Sequence, residues 1–374
     1  MFKIINKNQI ETHNKKYINN LKKDYDFFVR KVSRLKININ NIKKELMNFN
    51  IAIPSWGVGT GGTRFGKFPL KGEPNNIFEK IEDCAIINDL IGITKSISLH
   101  FPWDNVEDYK ELREFTKNYG LEFDVVNSNT FEDLDNYKHS YKFGSLTHTN
   151  KNVRDEAIKL NIDCIKKGIK LGSKALTVWI PDGTNYPGQQ DFSKSLDRYI
   201  ESMKKIYAKL PSNWKIFIEH KPFEPAFYST VINDWGSSYY CAKTLGEKAL
   251  CLIDLGHHLP NTNIEMIVSR LIYLKKLGGF HFNDSKYGDD DLDSGSINPF
   301  MLFLIFNELT STKQKKHLNS ISYMMDQSHN ITDPIESVIL SAIEIHRAYA
   351  KSLLIDHKIL DKFPIESEVS YKTK

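Results

Sequence analysis

With 374 residues, 40% of them hydrophobic and 26% charged, the chain is long enough to bury a large core and too apolar to be disordered along its length. The formal net charge of +5 is local: residues 1–50 hold 12 Lys and Arg against 4 Asp and Glu, while the remainder carries 39 basic and 42 acidic side chains, which disfavours a phosphate-binding body. Cys84, Cys164, Cys241 and Cys251 form no C-x-x-C pair, and no apolar run of 18 residues or signal-peptide core occurs. A cytoplasmic protein with reduced thiols, no membrane segment and no nucleic-acid partner is therefore expected.

In chain order, residues 7–48 carry Ile10, Tyr17, Leu21, Phe28, Val32 and Leu35 at helical spacing and no proline, which predicts a long helix or a helix pair. The basic side chains of this stretch (Lys15, Lys16, Lys22, Lys23, Arg30, Lys31) read as its solvated face. Beyond Pro54, eight short β-rich runs follow, at residues 50–54, 95–100, 121–127, 174–180, 214–219, 249–254, 279–283 and 321–326. Each precedes a helical pattern, as at residues 76–90, 106–119, 153–171, 192–210, 263–277 and 334–354. Eight βα units predict an α/β fold of the (β/α)8 TIM barrel type with an N-terminal helical extension, whose site lies at the carboxyl ends of the strands. The expected division is a helical segment over 1–48, a catalytic barrel over 49–356 and a tail over 357–374. An open doubly wound sheet has the same unit count, so the placement of polar residues decides.

The strand ends and the loops behind them supply Trp56, His100, Asn127, Trp179, Glu219, Asp254, His281 and Asp326. Glu219, Asp254, His281 and Asp326 come from four successive strands and converge if the sheet closes, and three carboxylates with one imidazole suit a divalent ion. His257, three residues past Asp254, together with Asp289 and Asp291, offers a second ligand set if Asp254 bridges. Any one of these residues alone reads more simply as a loop hydrogen-bonding group or helix cap, and Asp290, between the last two, as a solvated charge. Lys221, just behind Glu219, is a candidate electrophile for a developing oxyanion or, alternatively, a salt-bridge partner of a metal carboxylate. Trp56, Trp103, Trp179, Phe65 and Phe131 are candidate walls of a sugar pocket, though core packing accounts for aromatics more often. Gly57-x-Gly59-x-x-Gly62 matches a dinucleotide fingerprint in letters, but no helical pattern opens behind it, so it reads as a glycine-rich active-site loop.

The segments IAIPSWGVGTGGTRF, SLHFPWD, NSNTF, HSYKFGSLTHTN, KALTVWI, PAFYSTV, DLGHHLPNTNIEMI, GGFHFNDSKYGDDDLD and MDQSHNITDPIES resemble the broad-specificity bacterial L-rhamnose isomerases, within the xylose-isomerase-like barrels. The likeness runs from about residue 51 to 349. It implies a structural, substrate-binding ion on Glu219, Asp254, His281 and Asp326 and a catalytic ion on His257, Asp289 and Asp291 with Asp254 shared. The usual ion would be Mn2+, two per subunit, with Co2+ or Zn2+ as substitutes. It further implies Lys221 as the group that polarises substrate oxygens, His100 as the group that helps open the sugar ring, and Asp326 and Ser328 beside the metal-bound water. Phe65 would reach a neighbouring subunit of a homotetramer. The expected activity is metal-assisted 1,2-hydride transfer between an aldose and its 2-ketose, such as L-rhamnose and L-rhamnulose or D-allose and D-psicose. An endonuclease-IV-like phosphodiesterase and a non-catalytic sugar-binding barrel are the competing readings. The chain ends soon after the eighth helical pattern, unlike longer relatives, which bears on assembly.

Overall fold

The computed structural model describes residues 6–35, 37–59, 62–63, 66–133, 137–224, 228–311, 320–328 and 332–360. Phe65 of the glycine-rich loop, and residues 361–374 of the expected tail, lie outside them.

All eight expected strands form: β1 (Ala52–Pro54), β2 (Ser96–Phe101), β3 (Glu122–Ser128), β4 (Ala175–Val178), β5 (Lys215–Glu219), β6 (Ala249–Asp254), β7 (Leu277–Phe282) and β8 (Ser322–Met325). They pair in parallel and in sequence, and β1 closes the ring by pairing with both β2 and β8. The open-sheet alternative is thereby excluded. Closure removes every sheet edge, and βα connection after βα connection brings all strand carboxyl ends to one rim.

Two cores hold the barrel. Inside it, Val125, Ala175, Phe217, Leu250 and Leu252 form a buried cluster low in the lumen. Outside, the other strand faces pack against the helices in one continuous apolar cluster that includes Ile53, Ile97, Val126, Ile218, Ile253 and Phe280. The consecutive glycines of β7 belong to the inner packing. A Cβ at Gly278 would lie 2.7 Å from Leu250 Cβ and 2.8 Å from Phe217 Cδ1, so the Phe217 ring occupies the room a side chain would need.

Helices α1 (Lys7–Asn14), α2 (Ile18–Ser33) and α3 (Ile39–Asn48) precede the barrel, three where a single helix or a pair was expected. Asn38 caps the third by accepting from the amides of Asn40 and Asn41, a side-chain cap that local chemistry supplies and apolar spacing does not reveal. The barrel helices are α4 (Ile77–Ile91), α5 (Tyr109–Asn118), α6 (Lys151–Leu171), α7 (Phe192–Tyr207), α8 (Trp235–Leu245), α9 (Ile264–Tyr273), α10 (Pro299–Ser311) and α11 (Pro334–Ser352). Strand β7 begins at Leu277, inside the stretch expected to be helix, because α9 ends at Tyr273. The four cysteines are buried free thiols. No helix among the described residues is long and apolar enough to cross a membrane.

Candidate metal centre and sugar pocket

The rim at the strand carboxyl ends carries the expected polar residues. Glu219 ends β5, Asp254 ends β6, His281 is the penultimate residue of β7, and Asp326 directly follows β8. Parallel register sets Asp254 beside His281 and Glu219 beside Leu252, so adjacent strands deliver their functional side chains at similar heights. One ligand atom from each of the four lies within 4.8 Å of the others. His281 Nδ1 stands 3.2 Å from Glu219 Oε1, 3.1 Å from Asp326 Oδ2 and 3.6 Å from Asp254 Oδ2.

This donor set fits a divalent cation on grounds internal to the structure. Asp254 Oδ1 accepts from the amides of Gly256 (2.8 Å) and His257 (3.2 Å) and from Asn283 Nδ2 (3.0 Å), whereas Oδ2 is buried with no hydrogen bond. A buried carboxylate with a free oxygen aimed among other ligand atoms is costly without a counter-charge. Burial pushes the Asp254 carboxyl up, and the charges of Asp326 and Glu219 add to the push. Burial works against ionisation of Glu219 too, yet His281 and His257 hold its carboxyl below the ordinary carboxylate range. Both imidazoles are correspondingly raised well above their ordinary value against the opposing pull of burial, His257 by Asp254 and Asp289, and His281 by Glu219. Protons thus sit where cations would otherwise balance the carboxylates.

The second expected ligand set lies at the same mouth, with His257 buried and Asp289 and Asp291 half-buried, but is organised differently. His257 Nε2 lies 2.8 Å from Asp289 Oδ1, and Asp289 is ion-paired to Lys221, which also meets Glu224 Oε2 at 3.0 Å. Among the described residues only the first four gather their ligand atoms within 4.8 Å of one another. Lys221 is thus ion-paired to one carboxylate of the second set and to Glu224, a partner the sequence did not single out. Burial pushes the Asp291 carboxyl well up, helped by Asp289, Asp326 and Asp254. Asp289 (φ 57°) and Asp291 (φ 51°) both adopt the left-handed conformation, uncommon outside glycine. Between them Asp290 is not a free solvated charge: it accepts from the amides of Lys286, Tyr287 and Gly288 and from Ser285 Oγ. It builds the turn that presents its neighbours.

An aromatic arc faces the carboxylates across a cavity of about 230 Å³. Trp56 and His100 meet edge to face with centroids 5.3 Å apart, His100 stacks on Trp103 at 4.0 Å, Phe131 meets Trp179 at 4.9 Å, and Lys221 lies over the Trp179 ring at 5.0 Å. Ser328, Asn127, Ser128 and Thr177 complete the lining. Trp56 is tied to the ligand cluster directly, its Nε1 donating to Asp326 Oδ1 at 2.9 Å. A larger cavity of about 890 Å³ lies beneath the opposite end, between α3 and the strand starts, and contains none of these groups, so the chemistry and not the volume marks the site.

Sequence reasoning missed two buried carboxylates that set this geometry. Asp104 accepts from the His100 amide (2.8 Å) and Ser55 Oγ and pairs with Lys80 Nζ (2.8 Å), locking the ends of β1 and β2 together. Asp182 accepts from the amides and hydroxyls of Ser145 and Thr147, and Ser145 Oγ also reaches Thr130, next to Phe131. Both follow a strand end by a few residues, which was the available signal. Buried His220 meets half-buried His258 edge to face, 4.8 Å apart, behind the rim.

A closed barrel of parallel strands with a carboxylate and imidazole cluster at its mouth defines a class of metal-binding TIM barrels. Comparison with known proteins narrows it: residues 90–309 match the xylose isomerase-like TIM barrel family. The chain is 55% identical over 350 residues to a protein of Rhizobium meliloti (strain 1021) named a probable sugar isomerase, covering 93% of this chain and 81% of that one. A second, from Mesorhizobium japonicum and named likewise, is 55% identical over 361 residues, covering 96% and 84%. The chain belongs to the xylose isomerase-like TIM barrel family. Among solved structures, an L-ribulose 3-epimerase superposes with a TM-score of 0.62 at 12% identity, covering 85% of this chain and all of that one, a likeness of fold.

Proposed function

We propose that the chain is a divalent-metal-dependent aldose-ketose isomerase acting on small monosaccharides, with L-rhamnose and L-rhamnulose and D-allose and D-psicose among its substrate pairs. The observation that carries this reading is the convergence of Glu219, Asp254, His281 and Asp326 at the mouth, facing an aromatic wall across a cavity. The names of the Rhizobium and Mesorhizobium relatives agree with it.

Glu219, Asp254, His281 and Asp326 would hold one ion, and His257, Asp289 and Asp291 with Asp254 a second, with Mn2+ the expected metal and Co2+ or Zn2+ as substitutes. A bound divalent ion supplies Lewis-acid polarisation of the oxygens on C1 and C2. Around it, the arc of Trp56, Trp103, Phe131 and Trp179 covers the apolar face of the sugar and excludes water. His100, neutral because burial pushes its imidazole down to about 4, stands in that arc beside the ring oxygen of the incoming cyclic sugar. Lys221 keeps positive charge near the substrate oxygens while anchoring Asp289. Ser328 orients the proton-carrying water.

The ionisable groups lining the cavity are His100, Lys221 and members of the two ligand sets. No carboxylate is left over to serve as a carbon base, which favours direct hydride transfer between C1 and C2. The test is turnover of an aldose and ketose panel in D2O, read by NMR. Interconversion without deuterium at C1 or C2 is the expected result. No turnover of any sugar would make the chain a binding barrel, and deuterium at either carbon would replace hydride transfer by an enediol route.

A further inference from the structure

The mouth cavity has a polar residue in its floor where packing alone would select an apolar one. Successive residues of a strand alternate between the lumen and the helix layer. Ala175 of β4 belongs to the lumen cluster, so Thr177, two residues on, also faces the lumen. Parallel register sets Thr177 beside Phe217 of β5, and Phe217 beside Leu250 of β6, both members of that cluster. A valine has the shape of threonine and would extend this apolar layer. Thr177 instead carries a hydroxyl that is buried, only 2% of the residue being exposed, and that finds no hydrogen-bond partner among the described residues. The residue's carbonyl accepts from Ser128 Oγ at 3.3 Å, so the hydroxyl alone is left over. An unmatched buried hydroxyl lowers stability and is uncommon in native proteins.

The neighbour across the ladder supplies a complementary group. Asn127 of β3 is the Cα partner of Thr177, faces the lumen two residues beyond Val125, and is 5% exposed. Its Nδ2 donates to Ser98 Oγ and to the Leu99 carbonyl, each at 3.1 Å. A carbonyl only accepts, so that bond fixes the amide with its nitrogen toward β2 and leaves Oδ1 as an oriented acceptor. Both residues line the cavity. A hydroxyl beside an oriented acceptor is the complement of a sugar hydroxyl, which can donate to Asn127 Oδ1 and accept from Thr177 Oγ1. In the closed ring, β3 and β4 stand opposite β7 and β8, which bring His281 and Asp326 to the rim. A sugar whose C1 and C2 oxygens meet the carboxylate and imidazole cluster therefore turns the far part of its chain toward Asn127 and Thr177.

We propose, resting on the monosaccharide isomerase reading, that Asn127 and Thr177 are specificity-determining residues that together bind one sugar hydroxyl on a carbon beyond C2. A site built to hydrogen-bond a hydroxyl discriminates against the analogue that lacks it, because its own polar groups are then left unpaired. The stability forgone at Thr177 in the empty cavity is recovered when that hydroxyl arrives.

The test takes D-allose or L-rhamnose, whichever wild type binds the more tightly, and compares it with its 3-, 4- and 5-deoxy analogues. Affinity is read by calorimetry and kcat/KM by turnover. Thr177→Val should lose about tenfold in both on the parent sugar, the worth of one neutral hydrogen bond, and nothing further on the one analogue that lacks the bound hydroxyl. Asn127→Ala should single out the same analogue, and Thr177→Ser should keep wild-type discrimination. Thr177→Val should melt no lower than wild type, since it removes an unpaired hydroxyl and keeps the shape. An equal loss on all four sugars, no loss on the parent, or a lowered melting temperature with losses on every sugar overturns the proposal. Wild type that binds and discriminates as expected without converting any sugar defeats the isomerase reading and upholds the hydroxyl contact. Turnover by wild type with Thr177→Val indistinguishable from it does the reverse, and a wild type without affinity for any of the sugars defeats both.

Discussion

Lys221 illustrates how one residue can be placed by sequence and have its role refined by structure. Its position behind Glu219 suggested an electrophile, and the fold supplies two carboxylates, Asp289 and Glu224, that bind its ammonium group in a buried setting. Burial works to lower its pKa, but the two carboxylates raise it above the ordinary lysine value, so the group is charged at neutral pH. Lys221→Met leaves both acids without their cation, and breaking a buried pair by removing one partner costs on the order of 3–5 kcal/mol. Urea unfolding should show a loss of that size together with lost turnover. An inactive variant of wild-type stability would instead return Lys221 to a purely electrophilic role. His100 gives a pH signature at the same scale. Its folded pKa, about 4, lies below the ordinary histidine value because the ring is buried, with Asp104 opposing the shift. The unfolded chain therefore binds the extra proton first, and stability falls as pH drops from about 6.5 toward 4, by about 3 kcal/mol from this group. His100→Phe should lose less stability than wild type over that interval, and parallel curves for the two would show that His100 titrates normally.

Among the elements, the eight strands were legible because parallel barrel strands are buried on both faces and read as short β-branched and aromatic runs, and because polar or aromatic residues collect at or just past their carboxyl ends. The helix boundaries were less legible: α9 stops at Tyr273 and β7 starts at Leu277, since a run such as Leu274 to Leu277 fits either period. The convergence of Glu219, Asp254, His281 and Asp326 was legible, whereas the Asp290 turn, the Asp104 brace and the Asp182 anchor were not. Their partners are backbone amides, hydroxyls and an ammonium group, and a position just past a strand end, the signal available for Asp104 and Asp182, does not show which of these an acid will meet. The glycine pair in β7 is a further constraint that becomes intelligible only with the Phe217 ring in view. Gly278→Ala should destabilise the barrel by about 1–3 kcal/mol, because the new methyl meets packed side chains on two sides. Adding Phe217→Leu should recover part of the loss. Full additivity in that double-mutant cycle would contradict the packing argument.

For the whole molecule, the barrel gathers onto one rim a set of carboxylates that cannot all ionise in a buried setting by themselves. Glu219, Asp254, Asp326, Asp289 and Asp291 meet there, answered by His257, His281 and Lys221, and burial pushes the Asp254 and Asp291 carboxyls up. An ion that binds the folded state and not the unfolded one stabilises it by an amount set by mass action, about 2.7 kcal/mol at a free concentration a hundred times its Kd. Because the ligands come from four different strands, that stabilisation acts on the closed ring as a unit. Prolonged chelation should thus lower the melting temperature and abolish sugar turnover together. Mn2+ or Co2+ should restore both and Ca2+ neither, since a mixed imidazole and carboxylate shell suits the former ions. The measurement is calorimetry paired with elemental analysis of the chelated protein. A demonstrably metal-free chain that melts at the same temperature and still turns over sugar would mean that the protons on His257 and His281 balance the carboxylates unaided, and the metal reading of the rim would fail.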